Sequence, residues 1–128
     1  MNERCIAIRT RDMVSRVAIS DILYLERQGR QLLIETTQDQ YAFYEDIKNI
    51  RPLLDTRFYE VLQAYYINFD RVRSMKNFTV NFDCGKKIFF ARDPFRKARN
   101  QFFLYLKKKE EKALQGVDYQ GDSPCGIM

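Results

Sequence analysis

Short apolar runs alternate with polar positions through the first third of the chain. A period of two, with many Ile, Leu, Tyr and Thr residues, is typical of half-buried strands. The segments 27–31 and 37–40 separate these runs as turns, and Gly29 can adopt a positive φ in the first of them. The runs that fit the pattern are 5–9, 17–19, 22–26, 32–37 and 41–45. This part of the chain is therefore predicted to be antiparallel β.

The period changes between residues 45 and 54. Apolar residues recur there at helical spacing, at Ile47, Ile50, Leu53 and Leu54. Pro52 shortens or kinks the helix near its end, because proline lacks the N–H of the helical hydrogen bond. We expect one short central helix that covers a sheet.

Three strand-like runs follow the middle of the chain, at 72–76, 78–82 and 87–91. The last two form a hairpin with Gly85 at its turn. Asp93 is a candidate N-cap for a C-terminal helix, with Pro94 at the first helical position. The apolar stripe of that helix is Phe95, Ala98, Phe102, Tyr105 and Leu106. The predicted fold class is mostly antiparallel β with a short central helix and a C-terminal helix.

Chain length and composition fit one globular domain. The chain has 128 residues, of which 45% are hydrophobic and 14% aromatic, enough for one core. The domain is predicted to span residues 1–112, because residues 113–128 carry turn residues without a pattern, which is typical of a flexible tail. No apolar run is long enough for a membrane span and none at the N-terminus resembles a secretory signal. A cytoplasmic location is expected.

The residue types that support most enzyme and metal chemistry are missing or scattered. The sequence contains no His, and its three cysteines, Cys5, Cys84 and Cys125, are far apart without metal-ligand spacing. The carboxylates show no distinctive spacing, and there is no glycine-rich phosphate loop. We expect no catalytic residues, no metal and no cofactor.

Positive charge is concentrated in the middle of the chain. Residues 51–100 hold eleven Lys or Arg against five Asp or Glu, net +6, whereas residues 1–50 are net −1. The middle segment is a candidate surface for a polyanion. Its basic residues from 71 onward are Arg71, Arg73, Lys76, Lys86, Lys87, Arg92, Arg96, Lys97 and Arg99.

Four pieces of the sequence, in order, carry a resemblance to a known family. They are DILYLERQGRQLLIET, the short helix ending near Leu54, DTRFYEVLQAYYINFDRVRSM and FTVNFDCGKKIFFARDPFRK. Over residues 4–107 the chain resembles a LytTR domain, the DNA-binding module of many bacterial response regulators. The resemblance implies binding of double-stranded promoter DNA through loops that enter successive major grooves. It also implies targets that are imperfect direct repeats, often occupied by two molecules, and hence a homodimer on DNA.

The family's DNA-contacting loops fall on identifiable residues of this chain. In the first loop the basic or polar position corresponds to Arg30 or Gln31. In the third, where a Ser-Arg pair is typical, the chain has Ala91 and Arg92, so the arginine is kept. Arg96 and Lys97 follow as candidate phosphate contacts. The alternative for each is an ordinary solvated side chain.

The second loop departs from the family pattern. A polar triplet such as His-Arg-Ser usually precedes an aromatic, an aliphatic and an Asn, but this chain has Leu62, Gln63 and Ala64 there. Gln63 alone keeps hydrogen-bonding reach. Asn68 matches the family's Asn, and a structural role in a turn is favoured for it. The departure leaves a second function open, namely a LytTR-like protein-interaction or dimerisation module with weakened DNA binding.

The sequence does not indicate how the activity of the domain is regulated. Family members often carry a receiver domain, and 128 residues leave no room for one beside the DNA-binding fold. The chain is expected either to be a stand-alone regulator, controlled by its abundance or by an unidentified regulatory protein, or to be a fragment of a longer protein.

Overall fold

The computed structural model describes residues 4–117 of the chain. The part of the predicted tail that follows Val117 lies outside these residues. Within the described range, no helix combines the length and hydrophobicity that a bilayer span requires. In chain order the strands are β1 (Cys5–Arg9), β2 (Val14–Ala18), β3 (Ile22–Gln28), β4 (Gln31–Thr36), β5 (Gln40–Tyr44), β6 (Phe58–Leu62), β7 (Tyr65–Asn68), β8 (Val72–Lys76), β9 (Thr79–Phe82) and β10 (Lys87–Phe89). The helices are α1 (Ile47–Ile50) and α2 (Arg92–Val117).

The strands form three antiparallel sheets. A hairpin of β1 and β2 stands apart from a five-stranded sheet in the order β5-β4-β3-β7-β6 and a three-stranded sheet in the order β10-β9-β8. Together with the short helix α1 and the C-terminal helix α2, this arrangement confirms the predicted fold class.

The five-stranded sheet separates two apolar cores, because its alternate side chains point to opposite faces. Leu25 and Tyr66 belong to a core closed by the β1–β2 hairpin and α1. Tyr24 and Tyr65 face a second core, shared with the three-stranded sheet and α2. Every strand of the central sheet is thereby held from at least one side.

An ion pair connects the two larger sheets. Lys86, in the β9–β10 turn, donates to the Glu35 carboxylate at 2.6 Å and to the Thr36 carbonyl at 3.0 Å. Arg71 makes a second internal contact, donating to the Ser20 carbonyl and pairing with Asp83. Both basic residues therefore stabilise the fold, although the Lys86 side chain remains 40% exposed and that of Arg71 29% exposed.

Several predicted boundaries differ from the observed ones. Asp93 does not cap α2, because the helix already begins at Arg92 and the Phe95 amide donates to the Ala91 carbonyl. Pro94 is the third helical residue, where its missing N–H costs no helical hydrogen bond. At the other end, α2 continues through residues 113–117, where the tail was expected to begin.

The central helix is shorter than its pattern indicated. Only residues Ile47–Ile50 are α-helical, and a 3₁₀ turn over Arg51–Leu53 follows. The side chain of Asp46 caps the helix by accepting from the Lys48 amide at 3.0 Å. Pro52 lies in the 3₁₀ turn, consistent with its effect on the helical hydrogen bonds.

Candidate nucleic-acid interface

Two hairpin turns lie at the same end of the five-stranded sheet. The β3–β4 turn consists of Gly29 and Arg30, and the β6–β7 turn consists of Gln63 and Ala64. Strands β3 and β7 are antiparallel neighbours, with Glu26 opposite Tyr65. The Arg27 amide donates to the Ala64 carbonyl at 2.9 Å, directly between the turns. Arg30 and Gln63 are thus presented from adjacent turns.

The first turn is a tight two-residue connection. Gln28 pairs with Gln31 across it, and Gly29 has a φ of +65°, which glycine adopts without steric cost. Arg30 is exposed at the tip, and Gln31 is half-buried as the first residue of β4. Arg30 forms no ion pair within residues 4–117.

The β6–β7 turn is held in place by hydrogen bonds to Ala64, although it lacks the polar triplet typical of the family. Ala64 adopts a φ of +58° and is buried. Its amide donates to the Glu60 carboxylate at 2.9 Å, while its carbonyl accepts from Arg27. With Ala64 fixed at both ends, Gln63 is left exposed beside it. The preceding residue, Leu62, is 45% exposed.

Aromatic packing brings the start of α2 to the same region. The ring of Tyr65, two residues after Gln63, meets the ring of Phe90 edge-on at 5.1 Å. Phe90 lies two residues before Arg92, the first residue of α2. Burial, reinforced by the nearby Glu26 carboxylate, raises the pKa of Tyr65. Its phenol therefore stays neutral and packs as an aromatic ring near pH 7.

The predicted basic residues of α2 lie on two flanks of the helix. A helix turns by about 100° per residue, so Arg96 lies about 40° from Arg92, and Lys97 about 140°. Arg96 approaches Asp93 at 3.8 Å in an exposed pair. Arg92 and Lys97 form no ion pair within the described residues. The structure thus groups Arg96 with Arg92 and separates Lys97 from both.

The comparison with protein families settles what kind of domain this is. The model of the LytTr DNA-binding domain matches residues 12–103. The chain belongs to the LytTR family. It is therefore a DNA-binding domain of the kind found in transcription regulators.

A solved structure shows the same fold. A LytTr DNA-binding domain from Bacillus cereus superposes with a TM-score of 0.60, over 82% of this chain and 97% of that one. The two sequences are 14% identical, so this likeness concerns the fold. A search of curated proteins gives no match.

The sequence did not indicate that Gln28 lies at the same end of the LytTR domain's five-stranded sheet as the two turns. Gln28 is exposed on the last position of β3 and lies next in register to Gln63, since the preceding pairs are Glu26 with Tyr65 and Arg27 with Ala64. Its side chain donates to Glu26 at 3.1 Å. The two-residue length of the neighbouring turn would have revealed it, because such a turn places Gln28 directly opposite Gln31.

The two residues predicted for structural turns occupy different settings. Gly85 lies in the β9–β10 turn with a φ of +99°. Asn68 is completely buried. Its amide group donates to the Ile22 carbonyl at 2.8 Å, and its oxygen accepts from the Asp70 amide at 2.9 Å. Asn68 therefore contacts β3 as well as its own turn and is not available to a ligand.

Proposed function

We propose that this LytTR domain is a sequence-specific transcription regulator that reads promoter DNA with the two turns at the sheet end and the start of α2. The observation that carries the proposal is the grouping of Arg30, Gln63 and Arg92 through the Arg27–Ala64 hydrogen bond and the Tyr65–Phe90 contact. The family membership supports DNA as the partner.

Each grouped side chain suits a distinct contact. Arginine can donate two parallel hydrogen bonds to guanine, and glutamine can pair with adenine. We assign base reading to Arg30, Gln63 and Arg92, with Gln31 as a second reader beside Arg30. Arg96 and Lys97 are assigned to phosphates, where charge counts more than orientation. Lys97 lies on the other flank of α2 and would contact a different stretch of backbone.

The proposed targets are imperfect direct repeats in double-stranded promoter DNA, with two molecules bound as a homodimer in successive major grooves. A second turn with only Gln63 to present offers fewer hydrogen bonds than a polar triplet. We therefore propose that specificity comes mainly from the first turn and Arg92.

Selection of bound sequences from a random DNA pool tests the function. We expect enrichment of a repeated motif whose affinity exceeds that of random DNA by about 10³-fold or more. Recovery of no motif, with equal affinity for all fragments at moderate salt, would refute it. The Arg92→Ala variant serves as a specificity control in the same selection.

A second candidate function is a protein-interaction or dimerisation module, with either a second copy or a regulatory protein as partner. The exposed apolar side chains favour it, because Leu62 is 45%, Phe103 60% and Leu104 54% exposed. Sedimentation at rising protein concentration, without DNA, tests whether a second copy is the partner of this module. Self-association that Phe103→Ser abolishes would support the module, and a monomer throughout would count against a dimer that forms without DNA.

A further inference from the structure

A groove separates the β1–β2 hairpin from the central sheet. It encloses about 370 Å³. Arg9, Thr10 and Arg11 line one side from the hairpin tip, and Gln31 and Tyr44 line the other. The groove therefore brings two arginines against a residue already assigned to DNA reading.

The hairpin tip is a firm support for these arginines. The Thr10 amide donates to the Met13 carbonyl at 2.8 Å and closes the turn. Behind the tip, Ile6 and Ile8 are buried in the first core. The base of the hairpin is therefore fixed to the sheet, and its tip cannot swing freely away from β4.

Both arginines are open to a ligand. Arg9 and Arg11 are exposed, and neither forms an ion pair within residues 4–117. Across the groove, Tyr44 is 73% exposed and pairs in register with Gln31. Its hydroxyl adds a hydrogen-bond donor to the two guanidinium groups.

The position of the groove identifies the ligand. Gln31 follows Arg30 directly, so the hairpin tip lies beside the turn assigned to base reading. DNA that contacts Arg30 carries a row of phosphates past the neighbouring surface, and arginine and tyrosine are common phosphate ligands. We propose that Arg9 and Arg11 bind backbone phosphates of the DNA flanking the base pairs read by the β3–β4 turn.

This inference rests on the proposed DNA-reading function but goes beyond its residues. Arg9 and Arg11 precede the stretch that the family model matches, which begins at residue 12. They also belong to the first fifty residues, whose net charge is −1. Neither the family match nor the charge distribution indicates Arg9 and Arg11 as DNA contacts. Their place in the groove beside Gln31 is what indicates this role.

The test is the salt dependence of DNA binding by the Arg9→Ala/Arg11→Ala double variant. Each phosphate contact contributes about 0.9 to the slope of log affinity against log salt concentration. We expect the double variant to lose about 1.8 from that slope. Affinity should fall equally on the selected motif and on random DNA, because phosphate contacts carry no sequence information. The Arg9→Lys/Arg11→Lys variant should keep the slope, and circular dichroism should show an unchanged fold.

The matched control removes two charges elsewhere, as Lys108→Ala/Lys112→Ala. These residues follow Arg92 by 16 and 20 positions on α2, about 24 and 30 Å along the helix axis. A slope equal to that of this control overturns the inference while DNA reading stands. Absence of DNA binding by the wild-type domain overturns the proposed function and the inference together.

Discussion

Lys86 and Glu35 form a 2.6 Å ion pair between the three-stranded and the five-stranded sheet. The Glu35 side chain is 11% exposed, and Gln40 supplies its second hydrogen bond at 2.6 Å. The pair holds the β9–β10 turn against the end of the five-stranded sheet that lies opposite the β3–β4 and β6–β7 turns.

The first prediction concerns this link. Lys86→Ala leaves a largely buried carboxylate with one partner fewer, and we expect it to lower the free energy of unfolding by about 1–3 kcal/mol. Urea denaturation measures the change. Lys87→Ala is the matched control, because Lys87 is the exposed neighbour and its removal should change stability little. Equal effects of the two variants would contradict the role of Lys86.

Arg92 gives the second prediction. If Arg92 reads a base, Arg92→Ala should weaken binding to the selected motif by about 1–3 kcal/mol and relax the preference at one position. Fluorescence polarisation against motif variants measures both. Lys108→Ala, at the far part of α2, should leave the preference unchanged. Unaltered affinity and preference in Arg92→Ala would remove Arg92 from the interface.

Asn68 provides a stability prediction that is independent of DNA. Asn68→Ala removes the donor to the Ile22 carbonyl and the acceptor for the Asp70 amide inside the core. Because buried polar groups without partners are costly, we expect a loss of about 1–3 kcal/mol in unfolding free energy. Asn100→Ala on the exposed surface of α2 is the control. A variant as stable as that control would show that the buried amide is dispensable.

The fourth prediction concerns pH. Burial alone would raise the pKa of Asp55, but hydrogen bonds from Arg57 outweigh it and hold the pKa below its usual range. A lowered pKa in the folded state means that the ionised carboxylate stabilises the fold above the unfolded value of about 3.9. That contribution is lost as the pH falls through the folded-state pKa.

We therefore expect Asp55→Asn to lower the melting temperature at pH 7 and the difference from wild type to shrink below about pH 4. Thermal denaturation followed across pH 2 to 7 provides the measurement. Asp39→Asn, at an exposed turn position, should show no such convergence. A difference that stays constant down to the lowest pH would mean that the Asp55 charge is not involved.

The sequence indicated the fold well where one period dominates. The alternation of Phe78, Val80 and Phe82 predicts a strand over 78–82, and β9 covers Thr79–Phe82, while Phe78 lies in the preceding turn with a φ of +63°. Periodicity gave less where the apolar residues are nearly continuous. In 58–68 it does not separate β6 from β7, and only the family resemblance placed a loop at Leu62, Gln63 and Ala64 between these strands.

The candidate interface was less predictable than the fold, because it depends on contacts distant in sequence. The carboxylate partners of Arg71 and Lys86 are Asp21, Asp83 and Glu35. No spacing rule in the sequence reveals that these positive charges are balanced by carboxylates on other strands and turns. Conversely, Arg9 lies outside the basic segment 51–100, and only tertiary structure places it beside Gln31.

The direction of α2 has a consequence for how the bound regulator meets other proteins. The helix starts near Tyr65 and then passes Phe69, whose ring lies 5.2 Å from that of Phe102. It therefore runs along β7 away from the turns, and its 26 residues extend about 39 Å. With DNA bound at the β3–β4 and β6–β7 turns as proposed, the last turns of α2 lie far from the base pairs. A partner protein that binds these turns would therefore not compete with the DNA.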